Sequence, residues 1–260
     1  MAFPNFTGKY AHDACFHPQD YIDYLRQQQL LPDLSMPQGI IFCYQKRLLR
    51  HIMAREETER IEAIPYDFHV LKSTDGKVGI YGGFGIGAPA ATTALETFIA
   101  LGVRRFLSIG LAGTLQPTTR VGDIVVCNRA IRDEGVSHHY LEPAKYALPS
   151  EWLTTQLVES LEQGGHMPIL GTTWTIDALY RETVAEARQY QQEGTMTVEM
   201  EAAALFAVAQ YREVDLAAAF VISDSLAELV WKPQFNAEAV ENGLGQLYRA
   251  ARTMLVELPS

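Results

Sequence analysis

An α/β fold, with a mixed sheet covered on both faces by helices, is predicted by three features of the sequence. Short β-branched runs alternate with amphipathic stretches, an Asp75-Gly76 pair sits between two strand-like runs, and no Pro/Gly/Ser linker divides the chain. The strand candidates are residues 39–44, 69–73, 78–83, 105–110, 123–128, 168–173 and 217–223. Asp75-Gly76 reads as a hairpin turn, so the strands flanking it run antiparallel and the sheet is mixed. Helices are predicted over residues 46–55, 90–101, 152–163, 181–192, 201–211 and 237–258, where apolar positions recur at helical spacing. Residues 1–37 are less regular and read as an arm lying on the body or on a neighbouring subunit; residues 38–260 read as one domain.

Composition narrows the function classes. A chain of 260 residues with 48% hydrophobic content can bury a large core. Cys15, Cys43 and Cys127 lie far apart, without zinc-site spacing or the even count of a disulfide scaffold, which fits a reducing cytoplasm. The opening MAFPNFTGKYAHDACF has no basic leader followed by an apolar core, and no segment is apolar over a bilayer's thickness, so neither secretion nor a membrane partner is expected. A formal charge of -10 argues against a nucleic-acid partner, because phosphate affinity rests on clustered Lys and Arg.

The chemistry concentrates at the ends of predicted elements. Glu199, Met200 and Glu201 stand at the mouth of an apolar helix, and Asp224 stands where an apolar strand ends; a sugar diol and a base fit between such groups. Gly82-Gly83-Phe84-Gly85-Ile86-Gly87-Ala88-Pro89 follows a strand and opens a helix, whose N-terminal N–H groups suit an anion or a sugar oxygen. A dinucleotide site would need its glycines at the first strand and an acid after the next, and neither is clear; a tight turn is the other reading. A second cluster, Ser108-Ile109-Gly110-Leu111-Ala112-Gly113, ends another strand, where ligand crevices form in α/β sheets, and its small residues leave room for a flat base.

In their order, GGFGIGAP, SIGLAGTLQPTTRVGDIVV, IRDEGVSHHY, TIDALYRET, VEMEAAALFAVA and VISDS make the chain from about Gly39 onward resemble the nucleoside phosphorylase and nucleosidase superfamily, which includes the purine and uridine phosphorylases. The resemblance implies a three-layer α/β/α fold with a mixed, partly barrel-like sheet. It also implies a homo-oligomer (a dimer or a trimer of dimers), cleavage of a nucleoside's N-glycosidic bond in nucleotide salvage, no cofactor, and inorganic phosphate as a possible co-substrate. Met200 and Glu201 match the family's ribose-binding pair, and a carboxylate has lone pairs enough to grip a vicinal diol. Tyr140 is expected beside the sugar. Asp224 matches the strand-end acid that in purine-specific members addresses N7 of the base, and a carboxylic acid of raised pKa would serve as general acid there. Glu199, Leu179, Tyr180, Ala112 and Gly113 are expected around the base. Leu179 replaces a usual stacking aromatic; Tyr180 beside it is a substitute, and a core role for both is the alternative. The uracil-reading Gln and Arg of pyrimidine-specific members fall on Thr183 and Ala185, which leans the substrate toward purine.

The departures concern the nucleophile pocket, expected around Arg47, Gly85, Ser108 and Gly110. Where the family's phosphorylases carry Gly-Asp-Pro-x-Arg, this chain has Cys43-Tyr44-Gln45-Lys46-Arg47; Ser108 replaces an arginine and Leu111 a serine or threonine. Each lost charge-assisted hydrogen bond is worth about 1.5–3 kcal/mol. Nucleosidases place a water-activating glutamate near the position of Arg47, and a cation cannot do that task. Phosphorolysis with an altered pocket is the nominal reading, with hydrolysis and nucleoside binding without turnover as alternatives. No metal is expected at His138 and His139, which lack an acid or cysteine partner at ligand spacing. His12 and His17 read as surface residues, or as reaching a neighbouring site.

Overall fold

The computed structural model describes residues 4–259. In chain order the elements are α1 (Pro18–Gln27), β1 (Gly39–Cys43), α2 (Lys46–Met53), β2 (Thr58–Arg60), β3 (Asp67–Leu71), β4 (Val78–Gly82) and α3 (Ala88–Ala100). There follow β5 (Arg105–Thr114), β6 (Ile124–Asp133), β7 (Tyr146–Ala147), α4 (Glu151–Gln163), β8 (Ile169–Ile176) and α5 (Val184–Gln192). The chain ends with β9 (Thr197–Glu199), α6 (Ala202–Arg212), β10 (Asp215–Ser225), β11 (Lys232–Pro233) and α7 (Glu238–Glu257).

All strands join one sheet in the order β11-β10-β6-β8-β9-β5-β1-β4-β3-β2, with β7 on β6, and β10 also pairs with β5. That extra pairing closes β5, β10, β6, β8 and β9 into a barrel, while β1, β4, β3 and β2 continue outward as an open sheet. The sheet is mixed as predicted: β1 is parallel to β4 and β5, whereas β3 and β4 are antiparallel across a turn in which Asp75 and Gly76 take φ of 52° and 75°.

Alternation along the buried strands divides the core into two layers. Ile40 and Phe42 point to a cluster containing Phe68, Phe98, Phe106 and Phe206, and Ile41 and Cys43 to one containing Leu49, Leu107 and Leu247. A strand covered on both faces reads as an unbroken apolar run, which is why β1 and β10 are legible in the sequence. Helix α6 is buried continuously from Ala202 to Ala209, the property of a helix apolar on every side.

The structure extends or corrects several boundaries. β5 and β6 run on to Thr114 and Asp133, because barrel closure pairs their far halves: Gly113 with Val198, and Arg132 with Thr175. The arm contains a helix, α1, with Pro18 at its start and Ile22 buried, and it packs on α3 of its own chain. The short strands β2, β7, β9 and β11 escape periodicity altogether. Among the described residues no helix is long and apolar enough to cross a membrane.

Helices α3 and α6 are clamped together by a bidentate pair: Arg212 donates from Nε to Glu96 Oε2 at 2.8 Å and from Nη2 to Oε1 at 2.9 Å. The Tyr140 hydroxyl donates to Glu96 Oε1 at 3.1 Å. Arg212→Ala leaves the Glu96 charge buried without its partner and is expected to cost about 3 kcal/mol, with the double change Glu96→Leu/Arg212→Leu recovering most of it in a thermal-unfolding cycle.

Candidate active site

A cavity of about 620 Å³ opens at the C-terminal ends of β1, β5 and β10. Gly110, Ala112 and Gly113 of β5, Phe220 and Asp224 of β10, and the Glu199-Met200-Glu201 segment between β9 and α6 line it. Leu179 and Tyr180 stand at its mouth, 46% and 96% exposed, which excludes a core role for either.

Glu199 and Glu201 are placed by local backbone demands. Glu199 is buried at the end of β9; its Oε2 accepts the N–H groups of Glu201 and Ala202, both at 2.8 Å, and its Oε1 the Thr175 hydroxyl at 2.5 Å. Thr175 Oγ1 in turn accepts the Ala203 N–H at 3.0 Å, so the first turn of α6 is satisfied by side chains. Glu201, the N-cap residue of α6, accepts the Gly87 N–H on Oε1 at 2.5 Å. Burial pushes both carboxyls up, Glu199 further because the Glu201 charge lies beside it. The glycine turn thus serves an internal carboxylate: Gly83, Gly85 and Gly87 all take positive φ, Gly87 donates its N–H to Glu201, and Ile86 rather than Gly85 reaches the cavity.

On β10, a bulge between Ile222 and Asp224 brings Asp224 opposite Gly113. A Cβ on Gly113 would stand 2.9 Å from Asp224 Oδ2, so glycine is required for the carboxylate to occupy this place. Asp224 Oδ1 accepts the Ser223 hydroxyl at 2.7 Å, and Oδ2 accepts Trp231 Nε1–H at 3.0 Å. Strand β11 folds back on β10, pairing Pro233 with Asp224, and carries Trp231 and Phe235 to the cavity wall. Glu182, on the turn after Tyr180, also faces the cavity; burial and the Asp224 charge push its carboxyl up to about 7.

Four expected site residues do not line the cavity. Arg47 stands in the first turn of α2, whose apolar side packs in the opposite core layer, and pairs with Glu241 of α7. Tyr140 donates its hydroxyl to Glu96 outside the cavity lining and stacks edge-on against Tyr211. Gly85 shapes the turn, and Ser108 is covered by Tyr44, whose hydroxyl lies 3.1 Å from Ser108 Oγ and whose ring lies against Gly110. Burial, aided by the Glu201 charge, pushes the Tyr44 phenol well above its ordinary value, so it stays neutral. Among the described residues no Lys, Arg or His lines the cavity, which carries Glu182, Glu199, Glu201 and Asp224. Of the remaining motifs, Thr183 caps α5 by accepting the Glu186 N–H, His138 Nε2 lies 3.1 Å from the Arg132 carbonyl, and His17 caps α1. Sequence reasoning missed Tyr44, Glu182 and Trp231: Tyr44 and Glu182 lie within quoted motifs, whereas nothing in the sequence ties Trp231 to Asp224.

The model of the Phosphorylase superfamily matches residues 46–255, and the chain belongs to that family. The uridine phosphorylase of Haemophilus influenzae is 34% identical over 137 residues, 47% of this chain and 54% of that protein. The guanosine phosphorylase of Halorubrum lacusprofundi is 32% identical over 142 residues, 55% of this chain and 59% of that one. The chain therefore spans little more than half the length of these curated relatives. The fold matches that of a purine nucleoside phosphorylase from Toxoplasma gondii crystallised with immucillin-H, at a TM-score of 0.73 and 17% identity over 85% of this chain and 90% of that one.

Two outcomes follow from the geometry. Gly113→Ala is expected to displace Asp224 and lower ligand affinity about tenfold or more by calorimetry while the far-UV spectrum stays native. The raised carboxyl of Glu182 means the folded state binds its proton more tightly than the unfolded chain, so its contribution to stability is full below the ordinary glutamate range and is lost as pH rises through about 7. Glu182→Gln should therefore melt higher than the wild type at alkaline pH and match it in mild acid.

Proposed function

We propose that the protein is an enzyme that cleaves the N-glycosidic bond of a nucleoside, leaning toward purine, to free the base. The observation that carries this reading is one cavity lined both by Glu201, a carboxylate able to grip a diol, and by the acids Asp224 and Glu182. Anchored by Gly87, Glu201 keeps lone pairs for the 2′ and 3′ hydroxyls, with Met200 packing on the sugar. Ala112 and Gly113 leave the base a flat floor against Phe220, and Asp224 addresses its ring nitrogens.

Phosphorolysis to ribose 1-phosphate is the nominal route, supported by family membership and by the activities named for the relatives. Hydrolysis is the second reading, favoured by a cavity that is acidic, has no lining cation and has the Tyr44 ring over Ser108 and Gly110. We further propose that the protein acts in the cytoplasm as a homo-oligomer, which would let a neighbouring subunit supply a phosphate-binding cation.

The deciding experiment follows free base from a panel of purine and pyrimidine nucleosides, with and without inorganic phosphate. Release only with phosphate overturns hydrolysis, release in both conditions overturns phosphorolysis, and binding without release overturns both. Asp224→Asn and Glu201→Gln are each expected to slow release by about 10²-fold or more.

A further inference from the structure

We propose that Glu182, rather than Asp224, delivers the proton to the departing base, with Asp224 as the fixed carboxylate beside it. The inference rests on the reading of the protein as an N-glycosidic bond-cleaving enzyme. It adds an assignment that neither the sequence motifs nor the relatives' names contain.

The hydrogen-bonding inventory of the two acids separates them. Both oxygens of Asp224 are engaged: Oδ2 receives Trp231 Nε1–H, a group that can only donate, and Oδ1 receives the Ser223 hydroxyl. These two donors hold the Asp224 side chain in place against the protein. Glu182 lines the same cavity from the turn that carries Leu179 and Tyr180, and among the described residues its carboxyl has no hydrogen-bond partner. An acid facing a ligand cavity with no protein partner can point its O–H at the ligand.

Charge favours the same division. The titratable groups that share the cavity with Glu182 are Asp224 on β10, Glu199 at the end of β9, Glu201 at the N-cap of α6, Tyr44 after β1 and Tyr180, and Arg181 precedes it on its own turn. Lys232 of β11 is paired with Glu228. Asp224 is the charge that acts on Glu182, and together with burial it keeps the glutamate proton in place near neutral pH, where a general acid must hold one.

In the step itself the C1′–N9 bond breaks and its electron pair leaves with the base. The Glu182 proton passes to N7, so the base departs neutral, and the nucleophile, water or inorganic phosphate, forms the new C1′–O bond. Glu182 then recovers a proton from solvent, and the proton lost by the nucleophile returns to solvent.

The test pairs a purine nucleoside with its N7-methylated counterpart, whose base already carries positive charge and leaves neutral without a proton. Glu182→Gln is expected to slow the unmethylated nucleoside by about 10²-fold or more and the methylated one by less than about threefold. The wild type should lose kcat/KM on the unmethylated substrate as pH rises through about 7, a limb absent in Glu182→Gln and moved to lower pH in Asp224→Asn. Equal loss on both substrates, no loss on either, or a limb that persists in Glu182→Gln overturns the assignment. A wild type that cleaves neither nucleoside overturns the cleavage reading and this assignment with it, a result distinct from the first three.

Discussion

Glu199 is a buried acid with no cation beside it, and the geometry of the cavity depends on how that cost is met. Taking a carboxylate out of water is expensive unless donors replace the lost solvent. Here two backbone N–H groups and the Thr175 hydroxyl do so, and those N–H groups belong to the first turn of α6. The same bonds therefore satisfy the acid and fix where the helix starts. Glu201, at the N-cap, is held by this arrangement on one side and by the Gly87 amide on the other. The Glu96–Arg212 pair locks the far end of α6 to α3, the helix that Gly87 opens. Glu201 is positioned by helix-end chemistry rather than by a flexible loop.

Barrel closure performs the same service for Asp224. Pairing β5 with both β9 and β10 brings Gly113 against Val198 and Asp224 at once, and only glycine leaves room for the carboxylate. The bulge at Ser223 and the short return of β11 then surround Asp224 with donors. β9, which leads to Glu199 and Glu201, and β10, which carries Asp224, thus share one neighbouring strand, β5.

The nucleophile side shows how a family pattern can be kept in outline and changed in substance. Tyr44, within the loop that in other members carries phosphate ligands, turns its ring across Gly110 and its hydroxyl to Ser108. Arg47, the one arginine kept in that loop, stands in the first turn of a helix whose apolar stripe faces the other core layer, and it pairs with Glu241. Sequence position alone placed Arg47 by the cavity; helical phase placed it elsewhere.

Much of the fold is legible in the sequence because its signals are local and periodic: β1 and β10 as apolar runs, α6 as a helix apolar all round, and Asp75-Gly76 as a turn. The acids Glu199, Glu201 and Asp224 and the small residues of β5 are legible for a similar reason, since they stand at element ends in recognisable motifs. The extensions of β5 and β6, the strands β9 and β11, the helix α1, and the engagement of Tyr140 with Glu96 are not, because each depends on pairing or packing between residues distant in the chain. By itself the sequence determined the layered α/β class, the family resemblance and the acids Glu199, Glu201 and Asp224 that line the cavity. Only the tertiary structure decided that Tyr44 covers Ser108, that Arg47 faces away, and that Glu182 joins Asp224. Those outcomes are set by helical phase, barrel register and shared burial, which exist only once the chain has closed on itself.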